Sequence, residues 1–229
     1  MSTLSNVTAT KNQVAPSVGF TPTAIPEAKS SDTGVSVEYV QDKKKKWFVF
    51  RASYNREDMA ADMLINAGVY AYVVKRYRWR EVNRRPKKVL ETLIPNIVFA
   101  YLTPHKAEIF TKDNQKDEPS PCPKLATFLT YYYNHFKEDA FGKNPPLEVS
   151  PAEMESFILG TCTHHENLMV LKKNDYRFKT DEEVLVCEGE FKGVRGRVIR
   201  AHGQQRVLIR LTDFADIATA YIPSAFLQV

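Results

Sequence analysis

The sequence predicts an α+β fold, in which a mixed α/β domain with an antiparallel sheet precedes a small β-barrel. Two observations lead to this prediction. The segment from Lys46 to Leu102 contains an apolar strand, a helix, a long basic hairpin and a second apolar strand. The segment from Glu182 to Val229 contains four or five short β-type runs separated by turn residues, a spacing that predicts a small closed or nearly closed barrel.

Composition limits the class of protein. The chain has 229 residues and 43% hydrophobic content, which is enough for a buried core. No apolar run reaches the roughly 18 residues of a membrane span, and the N-terminus lacks the apolar stretch of a signal peptide. Cys122, Cys162 and Cys187 are odd in number and far apart, which does not indicate a disulfide framework. We therefore expect a cytoplasmic monomer with reduced thiols, no cofactor, no metal and no membrane partner.

The positive charge of the chain is concentrated in one segment. Between Lys43 and Lys88 there are fourteen basic and four acidic residues, so that segment carries +10. Because the whole chain carries +5, the remainder carries −5. Such an asymmetric distribution favours a polyanionic partner over charge that serves only solubility.

The first predicted elements alternate between strand and helix. The run WFVFRA from Trp47 predicts a central strand, and a helix follows with Asn55 as its N-cap and Gly68 as its left-handed stop. The valine- and tyrosine-rich stretch 69–77 predicts a second strand, and the stretch 93–102 a third.

The basic segment between these strands predicts a projecting two-stranded arm, since Pro86 near its middle cannot donate to a central ladder. An ordinary surface hairpin is the alternative. The density of arginine and lysine favours contact with nucleic-acid phosphates or an acidic protein surface. Trp79 could stack on an unpaired base, but packing on the stems of its arginine neighbours is the favoured interpretation. The candidate nucleic-acid-binding residues are Arg78, Trp79, Arg80, Arg84, Arg85, Lys87 and Lys88.

The remaining segments give weaker signals. Residues 125–136 could form a helix or a strand, and their β-branched and aromatic content favours strand. Ser150 and Glu153 predict a capping box at the start of a helix that runs to Gly160. The predicted organisation is a disordered tail over residues 1–42, an N-terminal domain over 43–162, a linker over 163–178 and a β-barrel over 179–229.

One cluster could suggest catalysis or a metal site, formed by Cys162, His164, His165 and Glu166. Adjacent residues in a linker point in different directions, and no further Cys or His stands at the spacing of a zinc site. Phosphate-binding, dinucleotide-binding and nucleophile-elbow motifs are absent from the sequence. We therefore name no catalytic residue and do not expect an enzyme.

Both halves of the sequence resemble one family. The run Lys46-Trp-Phe-Val-Phe-Arg-Ala, the helix, the basic hairpin and the run Leu93-Ile-Pro-Asn-Ile-Val-Phe-Ala-Tyr-Leu resemble the N-terminal domain of NusG-type transcription elongation factors. The pattern Val184-x-Val186-x-x-Gly189-x-Phe191-x-Gly193-x-x-Gly196-x-Val198 is similar to their KOW domain, an SH3-like barrel. The long tail, an enlarged stretch 103–144 and Asn96 in place of a common glycine resemble the specialised UpxY-like antiterminators of capsular polysaccharide operons.

The resemblance implies a protein that travels on bacterial RNA polymerase and suppresses pausing and premature termination. The N-terminal domain would dock on the clamp helices of the largest polymerase subunit, with the arm near upstream or non-template DNA. The positions that match the docking surface are Tyr72, Ile94, Pro95, Ile97 and Phe99. We expect Ile94 and Ile97 to be exposed contacts.

The resemblance also implies that the KOW barrel contacts a second protein, such as a termination factor or a small-subunit ribosomal protein, of which we expect the termination factor not to be bound. The matching loop positions are Phe191, Val194, Phe214 and Ala215, and Ala215 replaces a bulkier residue common in general NusG. The alternative function is a KOW-type RNA-binding or ribosome-associated protein with the arm on RNA. That alternative leaves the apolar surface from Ile94 to Tyr101 without a role.

Overall fold

The computed structural model describes residues 24–112, 120–172 and 174–229. Its α-helices are α1 (Glu57–Asn66), α2 (Pro104–Thr111) and α3 (Pro151–Thr161), and two 3₁₀ turns lie at Leu125–Thr127 and Ser224–Phe226. Its strands are β1 (Ala28–Lys29), β2 (Ser36–Val37), β3 (Lys46–Ala52), β4 (Tyr70–Tyr72), β5 (Lys75–Val82), β6 (Arg85–Thr92), β7 (Ile97–Leu102), β8 (Leu129–Tyr131), β9 (Glu148–Val149), β10 (Met169–Leu171), β11 (Arg177–Val186), β12 (Arg195–Ala201), β13 (Gln204–Leu211), β14 (Ala215–Ala218) and β15 (Leu227–Gln228). No described helix is long and apolar enough to cross a membrane.

The N-terminal sheet has the order β4-β7-β3-β8, with β9 also paired to β3, and every pairing is antiparallel. The predicted antiparallel sheet is therefore confirmed. Every residue of β7 is buried, because side chains on both of its faces are covered. Val49 pairs with Phe99 and Tyr72 pairs with Phe99, so these three side chains share the face toward α3.

Helix α1 begins one residue later than the sequence predicts. Its N-cap is Arg56, which makes no side-chain capping bond, and Asn55 adopts a left-handed conformation with φ of 53°. Asn55 instead donates its backbone N–H to Asn96 Oδ1 at 2.9 Å, which ties the helix entrance to the turn before β7. The predicted stop is confirmed, since Gly68 has φ of 73°.

The predicted tail over residues 1–42 is wrong for its second half, whereas residues 1–23 lie outside the described part of the chain. Residues 24–42 form a strap that contains the β1–β2 hairpin and packs on the N-terminal domain. Tyr39 stacks among Trp47, Tyr70 and Tyr101 with ring centroids 5.0–5.8 Å apart. Asp62 of α1 accepts hydrogen bonds from the backbone and hydroxyl of Ser31. Long-range aromatic contacts thus order a segment whose composition alone suggests disorder.

Two predicted strands are shorter in the structure. The stretch 69–77 divides at Val73 and Val74 into β4, which belongs to the central sheet, and β5, which belongs to the arm. In the stretch 125–136 only Leu129–Tyr131 is a strand, because the Thr127 hydroxyl donates to Lys124 O and stabilises a 3₁₀ turn before it. The predicted capping box of α3 is confirmed, with Ser150 Oγ accepting from the backbone of Glu153.

The C-terminal sheet has six antiparallel strands in the order β10-β14-β13-β12-β11-β15. Among the described residues the edge strands β10 and β15 do not pair with each other, so of the predicted closed or nearly closed barrel the closed form is not observed. β10 comes from the stretch predicted as a linker, and Arg177 and Phe178 already pair with β12. A fragment that starts at Lys179 would therefore lack strand β10 and the first two residues of β11.

One continuous core joins the two halves of the chain. Ser156 of α3 donates its hydroxyl to Arg195 O at 2.6 Å and accepts from Arg195 N at 2.8 Å. Asn134 donates to Asp213 at 2.9 Å on the other side of the contact. The C-terminal sheet is thus seated on α3 and on the segment after β8.

Candidate nucleic-acid and partner surfaces

The arm consists of β5 and β6, which pair only with each other among the described strands. Eight residue pairs run in register from Lys75–Thr92 to Val82–Arg85. Asn83 and Arg84 at the tip have φ of 53° and 60°, which is the pair of left-handed residues that a tight type I′ hairpin turn requires. The predicted two-stranded arm is therefore present, and most of its side chains are exposed.

The register sorts the arm into two different faces. Arg78 pairs with Val89 and Arg80 pairs with Lys87, which places these cations on one face. Trp79 pairs with Lys88 and Tyr77 pairs with Leu90, which places the aromatic side chains on the other. A single flat ligand therefore cannot contact both Trp79 and the arginine row.

Glu91 organises the root of the cationic face. Its carboxylate lies 3.0 Å from Arg80, 3.3 Å from Arg78 and 3.8 Å from Arg76. Desolvation raises the pKa of Glu91, but the hydrogen bonds from Arg80 and Arg78 outweigh it and the pKa is lowered overall. Two of the predicted phosphate-binding arginines are thus already paired within the arm.

The segment 164–168 contacts residues on both faces of the arm. Tyr77 donates its backbone N–H to His164 O at 2.8 Å, and Lys88 lies 3.5 Å from Glu166 and 5.0 Å from the Tyr77 ring centroid. Arg76 donates to Leu168 O at 2.8 Å. Lys88 is therefore engaged by the protein itself, although the sequence predicts it as a nucleic-acid contact.

The free cations of the arm lie at its tip. Arg84, Arg85 and Lys87 are exposed and form no ion pair or hydrogen bond with any part of the chain that the structure describes. Trp79 remains 59% exposed, and no described aromatic ring stacks on it. The tip thus presents three cations without a carboxylate partner.

The predicted polymerase-docking residues do not form an exposed patch. Phe99 is fully buried and Ile97 is 7% exposed, so the prediction that Ile97 is an exposed contact is wrong. Tyr72 donates to or accepts from Thr161 at 2.7 Å, and burial raises its pKa. The accessible members of the set are Pro95, which is exposed, and Ile94 and Tyr72, which are half-buried.

Helix α3 and the C-terminal sheet cover the face that carries these residues. Phe99 lies 5.2 Å from Phe157 of α3 and 5.7 Å from Phe214, measured between ring centroids. Alternation along β7 predicts that some of these side chains are internal, but not which element covers them.

The predicted partner residues of the C-terminal half are also largely internal. Val194 is fully buried beside Gly160 of α3, and Phe191 is 5% exposed beside His165. Phe214 and Ala215 are half-buried, and the Phe214 ring packs edge-on against Tyr132 at 5.2 Å. These four residues do not form one exposed surface in this arrangement.

The Cys–His cluster is dispersed by its local contacts. His164 is held by Lys75 O at 3.2 Å and burial lowers its pKa, while His165 Nδ1 accepts from Asn167 N and its Nε2 faces Glu190 at 3.8 Å. Burial raises the pKa of the Cys162 thiol to about 11, which disfavours the reactive thiolate. No metal-binding group of three or more acidic, cysteine or histidine side chains occurs among the described residues.

Sequence reasoning missed Glu91 as the partner of the arginine row. A hairpin that turns at Asn83 and Arg84 places position 91 directly opposite Arg76. The pairing of Glu91 with the arginines could therefore have been predicted from the hairpin register. The contacts of residues 164–168 with the arm could not be predicted in this way, because they join segments about 90 residues apart in sequence. No protein-family model matches the sequence, and no curated protein matches it either.

Proposed function

We propose that this chain is a NusG-type transcription elongation and antitermination factor that binds bacterial RNA polymerase and suppresses pausing and premature termination. Its specialised role would be on long operons, such as those for capsular polysaccharides, as the UpxY-like sequence features suggest. The proposal rests on the sequence resemblance of both halves of the chain. It gains support from an antiparallel α+β domain that carries a projecting cationic arm and precedes an antiparallel sheet.

The observation that carries the nucleic-acid part of the proposal is the unpaired cationic tip of the arm. Arg84, Arg85 and Lys87 extend beyond the arginines that Glu91 neutralises. Contacts of cations with phosphates position a protein without reading sequence, which suits a factor that must move along DNA. The proposed ligand is upstream duplex or displaced non-template DNA in the elongation complex.

The polymerase contact would be made around the accessible turn of Ile94 and Pro95. Tyr72 and Phe99 pack on Phe157 of α3, and Ile97 at the start of β7 is buried, so these side chains would support the turn and not form the contact themselves. The C-terminal sheet would carry the contact to a second protein, such as a small-subunit ribosomal protein. Phe214 and Ala215 are the more accessible of its four candidate residues.

The arm is tested by the salt dependence of binding. The triple variant R84A/R85A/K87A is expected to bind a reconstituted elongation complex more weakly and with a shallower salt dependence. Each lost phosphate contact lowers the slope of log affinity against log salt by about 0.7–0.9, so three contacts lower it by about 2–3. The measurement is a titration of the complex with wild type and variant across a salt series.

The matched control removes three exposed lysines that lie outside the basic segment 43–88, Lys124, Lys143 and Lys192. Their replacement by alanine changes the net charge equally but should leave the slope near the wild-type value. Equal slopes for the two triple variants would show that the tip contributes only general charge, and the DNA-binding role of the arm would have to be abandoned.

A further inference from the structure

A second cationic site lies at one end of the C-terminal sheet and does not include any residue of the arm. Arg177 of β11 stands directly opposite Arg200 of β12, and Arg200 stands directly opposite Gln205 of β13. Directly opposite residues of antiparallel strands project from the same face. Val207 and Ile209 follow Gln205 on that face and are buried in the core, so the three polar residues occupy its rim.

The two arginines are an energetically unfavourable pair. Like charges directly opposite each other in a sheet destabilise it. Both side chains are exposed, and neither makes an ion pair or hydrogen bond with any group whose placement the structure describes, which leaves out the side chains at positions 180 and 181. An anion bound between the two guanidinium groups would remove their repulsion and satisfy their donors.

Gln205 connects the neighbouring strands and loop beside this arginine pair through side-chain hydrogen bonds. Its amide accepts from Lys179 Nζ at 2.7 Å and donates to Ile222 O and Ser224 Oγ at 3.0 Å each. These bonds hold the segment 221–224 beside the arginines and add a third cation. Beside them lies an open cavity of about 450 Å³, and the described residues that line it include no carboxylate: Arg200, Gly203, Gln204, Gln205, Tyr221 and Ser224.

Tyr221 gives the site its second chemical feature. Its side chain is 57% exposed at the cavity, and no described ring stacks on it. An exposed aromatic face beside a cationic rim is the combination that binds single-stranded nucleic acid, through stacked bases and neutralised phosphates. A duplex keeps its bases stacked inside, so its bases could not reach the tyrosine.

We propose that this rim is a binding site for single-stranded nucleic acid. Arg177, Arg200 and Lys179 take the phosphates, and Tyr221 stacks on one base. The site is separate from the arm and does not depend on polymerase binding. It therefore adds to the proposed function and can fail or succeed independently of it.

The test uses the full chain in an R84A/R85A/K87A background, in which the arm tip cannot contribute. Fluorescence anisotropy of a labelled short oligouridylate and of the matching oligodeoxythymidylate reports binding across a salt series. Adding R177A/R200A is expected to weaken binding at least tenfold and to lower the salt slope by about 1.4, since two single-strand contacts are lost. Y221A is expected to weaken binding roughly fivefold or more with no change of slope.

The matched control is K192A/R195A, which removes two exposed cations near the opposite end of β12. Because R177A/R200A relieves a repulsion, that variant should be no less stable than wild type in thermal denaturation, so lost binding cannot be attributed to unfolding. Comparable binding of the two oligonucleotides supports a backbone-and-base site, and tighter binding of the RNA supports one that also contacts the 2′-hydroxyl. Affinity and slope in R177A/R200A equal to those in the control variant would overturn the proposal.

Discussion

Replacing Gly196 with alanine is expected to lower the free energy of unfolding by about 3 kcal/mol or more, the upper range for overpacking a core. A Cβ at this position would lie 2.2 Å from the backbone oxygen of Leu208 and 2.8 Å from a methyl group of Val207. The first contact is with backbone of the neighbouring strand β13, which cannot move without breaking the ladder. Urea denaturation followed by tryptophan fluorescence measures the change.

Gly203 provides the control for this substitution. It has φ of 77°, but a Cβ there would meet no atom within 4 Å. Alanine at that position is therefore expected to lower the free energy of unfolding by only about 1–2 kcal/mol, the strain of a left-handed backbone conformation in a residue with a Cβ. If both alanine variants had the same unfolding midpoint, the close approach of β12 to β13 at Gly196 would be refuted.

Truncation of Phe157 to alanine is expected to cost about 3–5 kcal/mol, the range for removing a buried aromatic side chain. Phe157 is fully buried in α3 and packs on Phe99 at 5.2 Å and Tyr72 at 6.4 Å. The loss should appear in the N-terminal domain and in the C-terminal sheet together, because one core joins them. Hydrogen exchange of the two sheets reports whether both become less protected.

The variant F141A is the corresponding control. It removes the same aromatic ring as F157A, but from a position that is 86% exposed. This truncation should change the free energy of unfolding by no more than about 0.5 kcal/mol. An F157A protein as stable as F141A would contradict the position of α3 between the two sheets.

Local patterns predicted the regular parts of the fold. The apolar runs of β3 and β7, the capping box at Ser150 and the hairpin of the arm each depend on residues close in sequence, and all are present. The prediction of disorder for residues 24–42 failed because the strap is held by contacts between residues distant in sequence. Tyr39 is ordered by rings from three distant segments, and burial raises its pKa to about 12. Composition contains no information about such contacts.

The candidate sites likewise fall into one that could be predicted from local sequence and others that depend on tertiary packing. The cationic tip follows from hairpin register alone, because positions 84, 85 and 87 lie beyond the reach of Glu91. The docking surface did not follow from alternation along β7. Alternation shows that Ile97 and Phe99 share a face, but the packing of α3 and Phe214 decides whether that face meets solvent. The rim site at Arg177 and Arg200 was missed because it requires the pairing of β11 with β12.

Single-round transcription by purified bacterial RNA polymerase tests the central claim most directly. The template is long and carries pause sites and a terminator, and reactions contain either no factor, the wild-type chain or R84A/R85A/K87A. The proposed function predicts shorter pauses, more read-through transcript and co-migration of the chain with the elongation complex, with a smaller effect of the arm variant. Unchanged pausing and read-through, with the chain absent from the elongation complex, would contradict it.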